Sequence, residues 1–364
     1  MSSKKTFGII LLILGIVVSS FVLSCDDNST NSNDHDDLPA DTTMPDSTGA
    51  GIIEPVGELS ISRGTRKGMA IKDDNLYICD MYHISVVDIS DLASPSQIGR
   101  FPESDLTRYA TGVAIKDTIL GVYSMGSSSD GELNLASISN PTNPRELGSL
   151  ALPRNNGNLV FKGDYALMPA SEQGVFVVDI SDPTSPAMHR TINISGSQII
   201  SDISIGLDYL FVGIEMIKSI RIYDISDINS EIYMNSASTY GKLEGSFFKY
   251  NNLFVANGTW QEPSDDAGFS IFSMEDLNSS IYADTLESTS CQDVYVDAVY
   301  AYVVYNDRPG GDGNYLRVYG IYHPESPVLH HQIELSGDSY SVFARDGDVF
   351  ILCRTKLLTY RHEY

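Results

Sequence analysis

The sequence has few of the residues that usually carry chemistry or bind nucleic acid. Its 364 residues include one tryptophan, four cysteines and seven histidines, and Lys plus Arg number 23 against 48 Asp plus Glu. The formal net charge of −25 argues against a general nucleic-acid binder, because phosphate contacts need an excess of basic side chains. CxxC, HExxH, phosphate-binding loops and a Ser-His-Asp ordering are absent from the sequence. We therefore predict no catalytic residue, no metal ligand and no cofactor.

One long hydrophobic run is present, at the N-terminus. Lys4 and Lys5 precede the apolar residues 7–23, and VLSC follows, ending at Cys25. A basic start, an apolar stretch and a small residue before the cleavage point are typical of a secretory signal. VLSC resembles a bacterial lipobox, in which the cysteine thiol receives the lipid. We predict a lipoprotein signal peptide over residues 1–24; the alternative is an uncleaved anchor, since the run approaches the length of a transmembrane helix.

The segment after the signal is polar and acidic. Residues 25–52 begin with the lipidation site and contain almost no large apolar side chains. Such a composition cannot offset chain entropy, so it predicts a disordered tether. The body of the protein would then lie outside the cytoplasm, lipid-anchored to a bacterial membrane, with the outer membrane or cell surface favoured.

A ten-residue phrase recurs along the rest of the chain. VVDISDPTSP (Val177–Pro186) has near-copies in VVDISDLASP (Val86–Pro95), LASISNPTNP (Leu135–Pro144) and IYDISDINSE (Ile222–Glu231). The third residue of each copy serves as a marker, and degenerate copies place further markers at Ser273, Gly320 and Tyr360. The spacings are 49, 42, 45, 49, 47 and 40 residues, and each unit contains four short apolar runs. Four strands in such a unit is typical of a β-propeller blade.

Seven markers predict an all-β, seven-bladed β-propeller over residues 53–364. The last copy ends after its third strand, whereas VGELSI (Val56–Ile61) precedes the first complete unit and resembles the fourth strands. Pairing this N-terminal strand with the last blade would close the ring and remove an open edge.

The aspartates of the phrase could be read as a carboxylate site. Asp88, Asp179 and Asp224 are equivalent residues, one per blade, and therefore lie far apart on the ring. Asp, Ser and Pro are turn-forming residues. We predict that the phrase is the end of the third strand and the turn to the fourth.

The phrase also resembles a known family. VVDIS followed by DPTSP is similar to the LVIVD repeat of bacterial and archaeal surface proteins, and the resemblance covers about residues 56–364. It implies a β-propeller at a cell surface and no defined enzymatic activity.

The connections between second and third strands predict a binding face. Three of them are long: Met125–Glu132, Asn257–Gly268 and Asn306–Asn314. Insertions on one face of a repeat scaffold often mark the binding face. Trp260 lies in the longest connection and is a candidate contact residue, unless it folds back over the base of its own loop. The glycine-rich third connection could hold Ca²⁺ but lacks the EF-hand spacing, so a flexible loop is the alternative.

Basic residues gather where the first strands begin on this face. The candidate binding residues are Arg63, Arg66, Lys67, Arg108, Arg154 and Lys242. In an acidic protein they could form an anion-attracting mouth. Alternatively they pair with the acids of comparable segments, namely Asp105, Asp202, Glu244, Asp293 and Asp338.

Cysteine and histidine positions predict no site. Cys79 and Cys353 end second strands of neighbouring blades with an offset of one residue, so their side chains should face opposite ways. With Cys291 they are expected to be buried free thiols; the alternative is a single internal disulfide, for which three cysteines allow three pairings. Alternation on an outer strand should also place His330 and His331 on opposite sides.

The leading hypothesis is a non-catalytic binding scaffold, lipid-anchored to the cell envelope. We expect a monomer that binds a protein or glycan at the envelope and contacts the membrane through its lipid only. The alternatives are an extracytoplasmic propeller enzyme, a hydrolase or lyase with its site at the channel mouth, and a structural component of the envelope.

Overall fold

The computed structural model describes most of the predicted propeller. The described residues are 51–102, 106, 108–126, 130–153, 158–194, 199–258, 268–277, 280–285, 289–307 and 313–364. They form seven antiparallel four-stranded sheets, which confirms the predicted seven-bladed β-propeller. Within the described part of the chain, no helix is both long and apolar enough to cross a membrane.

The strands follow one another around the ring, blade by blade. The first strand, β1 (Ile52–Ser60), precedes blade 1. Blade 1 contains β2 (Gly64–Lys72), β3 (Asn75–Asp80), β4 (His83–Asp88) and β5 (Ser96–Phe101). Blade 2 contains β6 (Tyr109–Lys116), β7 (Ile119–Met125), β8 (Asp130–Ser137) and β9 (Arg145–Pro153). Blade 3 contains β10 (Val160–Lys162), β11 (Tyr165–Pro169), a 3-10 turn (Ser171–Gln173), β12 (Val175–Asp179) and β13 (Ala187–Ile192).

The remaining blades repeat this order. Blade 4 contains β14 (Ile200–Gly206), β15 (Tyr209–Ile214), β16 (Ser219–Asp224) and β17 (Ile232–Ser238). Blade 5 contains β18 (Lys242–Lys249), β19 (Asn252–Gly258), β20 (Gly268–Ser273) and β21 (Tyr282–Thr285). Blade 6 contains β22 (Thr289–Asp297), β23 (Tyr300–Asp307), β24 (Tyr315–Gly320) and β25 (Val328–Glu334). Blade 7 contains β26 (Ser339–Arg345), β27 (Asp348–Cys353), β28 (Lys356–Glu363) and, as its fourth strand, β1.

The core lies between the blades. Second and third strands are buried on both faces, so NLYICD of β3 and YALMP of β11 read as nearly continuous apolar runs. Outer strands such as β9 instead alternate between exposed and partly buried residues. One hydrophobic cluster joins Tyr77 and Val86 of blade 1 to Leu120 of blade 2, and similar clusters occupy other blade boundaries. Each blade therefore depends on its neighbours for its core.

The N-terminal strand closes the ring, as the strand count predicts. β1 pairs antiparallel with β28 from Ile52 opposite Glu363 to Ser60 opposite Lys356. The strand is longer than the predicted segment Val56–Ile61, and it contains a bulge at Val56. The Thr359 hydroxyl donates to the Leu92 carbonyl at 2.7 Å and ties blade 7 to blade 1.

The phrase turn is the connection between the third and fourth strands of a blade, and it packs on the outer strand of the preceding blade. An added Cβ on Gly148 of β9 would lie 2.7 Å from the Thr184 carbonyl oxygen in the phrase turn of blade 3. Gly57 of β1 makes the equivalent close approach to the Leu92 carbonyl of blade 1. Glycine is required at these positions because the two backbones touch.

The phrase turn has the same shape in several blades because aspartate side chains accept hydrogen bonds from nearby backbone N–H groups. Asp88, Asp179 and Asp224 each accept the N–H of the serine two residues later, at 2.8–2.9 Å. These hydrogen bonds hold the pKa of each carboxyl below its ordinary value. The three carboxylates lie on separate blades, so the predicted turn role is confirmed.

Ion pairs link neighbouring blades on the face that carries the turns between first and second strands. Lys116 of blade 2 lies 2.5 Å from Asp164 of blade 3, and Lys162 of blade 3 lies 2.8 Å from Asp208 of blade 4. Arg345 of blade 7 approaches Asp74 of blade 1 at 3.3 Å, across the ring closure. Each pair is exposed and contributes at most about 1 kcal/mol, so the ion pairs supplement the buried clusters.

Removing β1 tests the closure. A chain that begins at Gly64 should lose on the order of 4 kcal/mol of unfolding free energy, because β28 loses its backbone partner and Val56 and Leu59 leave the core. The measurement is urea unfolding, with a chain that begins at Gly51 and keeps β1 as the matched control. Equal unfolding midpoints for the two chains would refute the closure.

Candidate functional site

The two faces of the propeller differ in how much their connections vary. On one face, which we call the turn face, the first and second strands of every blade are joined by two residues, from 73–74 in blade 1 to 346–347 in blade 7. On the other, which we call the loop face, the connections between second and third strands range from two residues, 354–355, to nine, 259–267. Because every blade has the same four-stranded arrangement, the fold does not require connections of different length on the loop face.

The six predicted basic residues do not form one cluster of described side chains. Arg63 is exposed at the start of blade 1, whereas Arg108 at the start of blade 2 and Lys242 at the start of blade 5 are half-buried. Arg66 and Lys67 lie in β2, where only the backbone is described. Arg154 and the predicted contact residue Trp260 lie outside the described residues, as do parts of all three long connections.

Arg108 is held by two carboxylates of its own blade. Its Nε donates to Asp130 Oδ2 and its Nη1 to Glu132 Oε2, each at 3.0 Å. Both acids lie at the start of β8, where the second-to-third connection of blade 2 ends. The guanidinium thus fixes the base of that connection through an ion pair, but its partners are not among the acids predicted from the sequence.

Lys242 is also surrounded by acids. Its Nζ lies 3.6 Å from Glu244 Oε1 and 4.0 Å from Glu215 Oε1. Glu215 is almost fully buried and belongs to the second-to-third connection of blade 4. The positive charge of Lys242 is therefore neutralised, which weakens the interpretation of this face as an anion-attracting mouth.

Polar residues bind across the boundary between blades 6 and 7. The Ser341 hydroxyl donates to Asp293 Oδ2 at 2.7 Å, and the Val342 N–H donates to the same oxygen at 3.1 Å. Asn306 at the end of β23 accepts the Ser339 N–H at 2.7 Å. These contacts attach the start of blade 7 to blade 6.

Asp80, His83 and Ser85 approach one another at the loop-face end of blade 1. The Ser85 Oγ lies 3.1 Å from His83 Nε2, and Asp80 Oδ2 lies 3.6 Å from that same nitrogen. A nucleophilic triad instead needs the serine and the carboxylate on opposite ring nitrogens. Asp80 is buried and accepts the N–H groups of Ser62 and Arg63 at 3.1 and 2.7 Å. Its carboxylate thus holds the backbone that leads from β1 into blade 1.

An exposed apolar tip on the loop face was not predicted from the sequence. Met216 and Ile217 lie in the connection between β15 and β16 and are at least half exposed. Tyr240 is also exposed. It lies close to this tip, because the N–H of the preceding residue, Thr239, donates to the Lys218 carbonyl at 2.8 Å. The signal was present in EMIK, because two large apolar residues at a hairpin tip are unusual in a segment that should be polar.

The three described cysteines are buried free thiols, as expected. Cys79 packs in the cluster between blades 1 and 2, whereas Cys353 packs between blades 6 and 7, so they face opposite ways. Burial raises the pKa of Cys79 to about 12 and that of Cys353 to about 11. Neutral thiols of this kind are poor nucleophiles.

A partly buried polar network joins blades 5 and 6, and the third cysteine, Cys291, is buried in the cluster between the same two blades. Arg317 Nη1 donates to Asp284 Oδ2 at 2.7 Å, and Arg317 Nε donates to Gln332 Oε1 at 2.8 Å. The Tyr319 hydroxyl also donates to Asp284, and burial raises the pKa of Cys291 well above its ordinary value. The network fixes the short outer strand β21 to the next blade.

The predicted separation of His330 and His331 is wrong. His330 is the extra residue of a β-bulge, because Leu329 pairs with Tyr319 and His331 with Val318. The bulge breaks the alternation, and the two rings lie 6.5 Å apart beside one aromatic cluster that includes Tyr300. His331 also lies 5.5 Å from the His362 ring in that cluster. Within the described ranges, no group of three or more His, Cys, Asp or Glu side chains is arranged to hold a metal ion.

Asp80→Ala tests the structural role of this carboxylate. Two backbone N–H groups and the buried Ser85 hydroxyl would lose their acceptor, so the unfolding free energy should fall by about 2 kcal/mol. The matched control is Asp91→Ala, which removes an exposed carboxylate bonded only to the nearby Ala93 N–H and should cost about 0.5 kcal/mol. If both variants unfold at the same urea concentration, Asp80 does not hold the connection.

Comparison with solved structures identifies the same architecture. BamB from Moraxella catarrhalis aligns with a TM-score of 0.54 and 12% identity over 86% of this chain and 98% of its own. A Lactobacillus plantarum protein aligns with a TM-score of 0.58 and 12% identity over 80% of this chain and 87% of its own. Raptor from Chaetomium thermophilum has a TM-score of 0.62 and 10% identity over 85% of this chain, but 29% of Raptor. At these identities the likeness concerns the fold.

Comparison at the level of sequence is narrower. No curated protein matches the chain. The LVIVD repeat model matches residues 63–102 and 153–193, which contain the first and third copies of the phrase. The chain is thus a seven-bladed β-propeller that contains LVIVD repeats.

Proposed function

We propose that the chain is a lipoprotein of the cell envelope whose propeller is a non-catalytic binding scaffold. Residues 1–24 are the signal peptide, Cys25 carries the lipid, the residues that follow up to the start of β1 at Ile52 are the tether, and the propeller is the binding domain. The loop face receives the partner, and the outer membrane or cell surface is the expected location. The proposal rests on the N-terminal sequence for the anchor and on the architecture for the scaffold.

The observation that supports a binding role is that the connections between strands vary in length on the loop face only. The turn face keeps its two-residue turns in every blade, whereas connections on the loop face differ up to several-fold in length. Long insertions on a rigid scaffold cost little loop entropy, so they can be kept for recognition. A rigid closed ring also positions such connections with little ordering cost on binding.

The side chains of the loop face favour a protein partner. Arg108 and Lys242 are neutralised by acids, so neither is free to attract a small anion. Met216, Ile217 and Tyr240 expose apolar surface, which typically packs against apolar groups of another protein. A partner that covers this tip would also reach the Lys242 side of blade 5.

Shortening the loop-face connections tests recognition. Residues 127–129, 259–267 and 308–312 are replaced together by two-residue turns, which leaves the Arg108 contacts with Asp130 and Glu132 in place. Thermal unfolding should be unchanged, and partner capture from cross-linked cells of origin should fall at least about tenfold. Trp260→Ala alone should account for a large share of that loss.

The control for this experiment alters the opposite face. Replacing the turn of blade 2, Asp117 and Thr118, by Asn-Gly keeps a two-residue hairpin and should leave capture unchanged. Partners retained by the loop-shortened variant, with normal unfolding, would show that the loop face is not the binding surface.

Cys25→Ala tests the anchor. Without the thiol no lipid can be attached, so the protein should move from the membrane fraction to the soluble or precursor fraction. Mass spectrometry of the wild type should show a lipid on a chain that begins at Cys25. Unchanged membrane attachment with residues 1–24 intact would instead support a transmembrane anchor.

A further inference from the structure

The outer strand of blade 4, β17, exposes three consecutive large apolar side chains. Ile232, Tyr233 and Met234 are 58%, 54% and 51% exposed. Among the described strands, β17 pairs with β16 alone, so its other edge presents backbone groups that no described strand pairs with. Met234 is the extra residue of a bulge, since Tyr233 pairs with Tyr223 and Asn235 with Ile222. In a regular strand, alternate side chains point to opposite faces, so at least one of these three would face the core; the bulge interrupts that alternation and leaves all three exposed.

β17 also lacks the charges that protect the other outer strands. Its sequence, IYMNSAS, contains no ionisable acid or base other than the tyrosine. The charged residues on the other six outer strands include Glu54 and Glu58 of β1, Arg100 of β5, Arg145 of β9, Arg190 of β13, Asp284 of β21 and Glu334 of β25. Charges on edge strands oppose pairing with another chain, and β17 is the outer strand without them.

The start of β17 lies in an acidic environment. Asp224 and Asp227 of its own phrase turn accept backbone N–H groups, which holds their pKa values below the ordinary range and keeps them charged. Glu275 and Asp276 are exposed in the phrase turn of blade 5. That turn lies beside the later part of β17, because its Leu277 belongs to the same hydrophobic cluster as Ala237 near the end of the strand.

Two arginines lie near β17. Arg190 forms an ion pair with Glu231, which directly precedes β17. Arg221 contacts the uncharged Tyr223 and lies opposite Ser236, towards the other end of the strand. The acidic end of the strand therefore keeps a net negative charge. An approaching chain would find a neutral, apolar edge that begins beside a cluster of carboxylates.

We propose that β17 is a docking edge for an extended segment of another polypeptide, apolar beside Ile232–Met234 and basic where it passes the two phrase turns. The segment adds a fifth strand to blade 4, and its backbone hydrogen bonds with β17 supply the affinity. The difference between its apolar and basic parts sets the direction in which it binds. A second copy of this chain fits less well, because it brings a net charge of −25 to an acidic surface.

The test uses a displayed library of random dodecapeptides selected against the full chain. Enriched peptides should alternate β-branched or aromatic residues and carry Lys or Arg at one end. The synthetic consensus peptide should bind Met234→Lys at least about tenfold more weakly than wild type, because the lysine places an unpaired charge against the apolar part of the peptide and repels its basic end. Amide hydrogen exchange along β17 should slow when the peptide binds.

The matched control is Leu329→Lys on β25, where an apolar residue of another outer strand is 43% exposed. It should bind the peptide like wild type, and so should the loop-shortened variant, which separates this site from the proposed function of the loop face. Both lysine variants should have the same melting temperature as the wild type. Ile232→Lys is a second substitution within the proposed site.

Three results would overturn the proposal. The first is a selection whose peptides bind Met234→Lys as well as wild type. The second is enrichment of acidic peptides at this edge. The third is sedimentation equilibrium that shows a wild-type dimer lost in Met234→Lys, because the occupant would then be a second copy of the chain.

Discussion

The pairing of β1 with β28 is the contact on which the other blade boundaries depend, because it turns a stack of seven sheets into a ring. Each boundary cluster draws residues from two blades, so an unclosed stack would leave one such cluster without its partner. At the closure, Phe350 and Leu357 of blade 7 pack with Ile78 and Leu92 of blade 1. Without β1 this cluster would lose Val56 and Leu59 from its outer side. The closure thus couples the two ends of the described chain to the core of both blades.

The recurring phrase follows from the same requirement. A phrase turn must fit against the outer strand of the preceding blade, and the boundary geometry is the same around the ring. Aspartate and proline fix the turn, while glycine on the opposing strand permits close approach at Gly57 and Gly148. Where that glycine is replaced by Arg190, the guanidinium donates to the Ile228 carbonyl of the next turn at 3.3 Å. The repeat is therefore preserved in sequence because one backbone contact is preserved in space.

The fold was predictable because its signals are periodic, whereas the local contacts are not. Marker spacing and an unpaired segment at Val56–Ile61 sufficed for seven blades and their closure. The pairing of Arg108 with Asp130 and Glu132 was not predicted, since strand alternation does not say which side chains meet. The error on His330 and His331 has a specific cause, because a bulge changes the facing of a residue and leaves no mark in a single sequence.

Charge and apolar exposure together restrict where this acidic protein can form close contacts. Burying an unpaired carboxylate is costly, so a surface rich in Asp and Glu excludes most approaching chains unless they supply basic partners. Met216 and Ile217 on the loop face and Ile232 to Met234 on β17 are places where contact desolvates apolar groups instead. On the loop face, connections of variable length surround the apolar patch, whereas on β17 the apolar side chains lie beside backbone groups at the edge of a sheet. A partner for the first is selected by side-chain shape, and a partner for the second by its ability to adopt an extended strand.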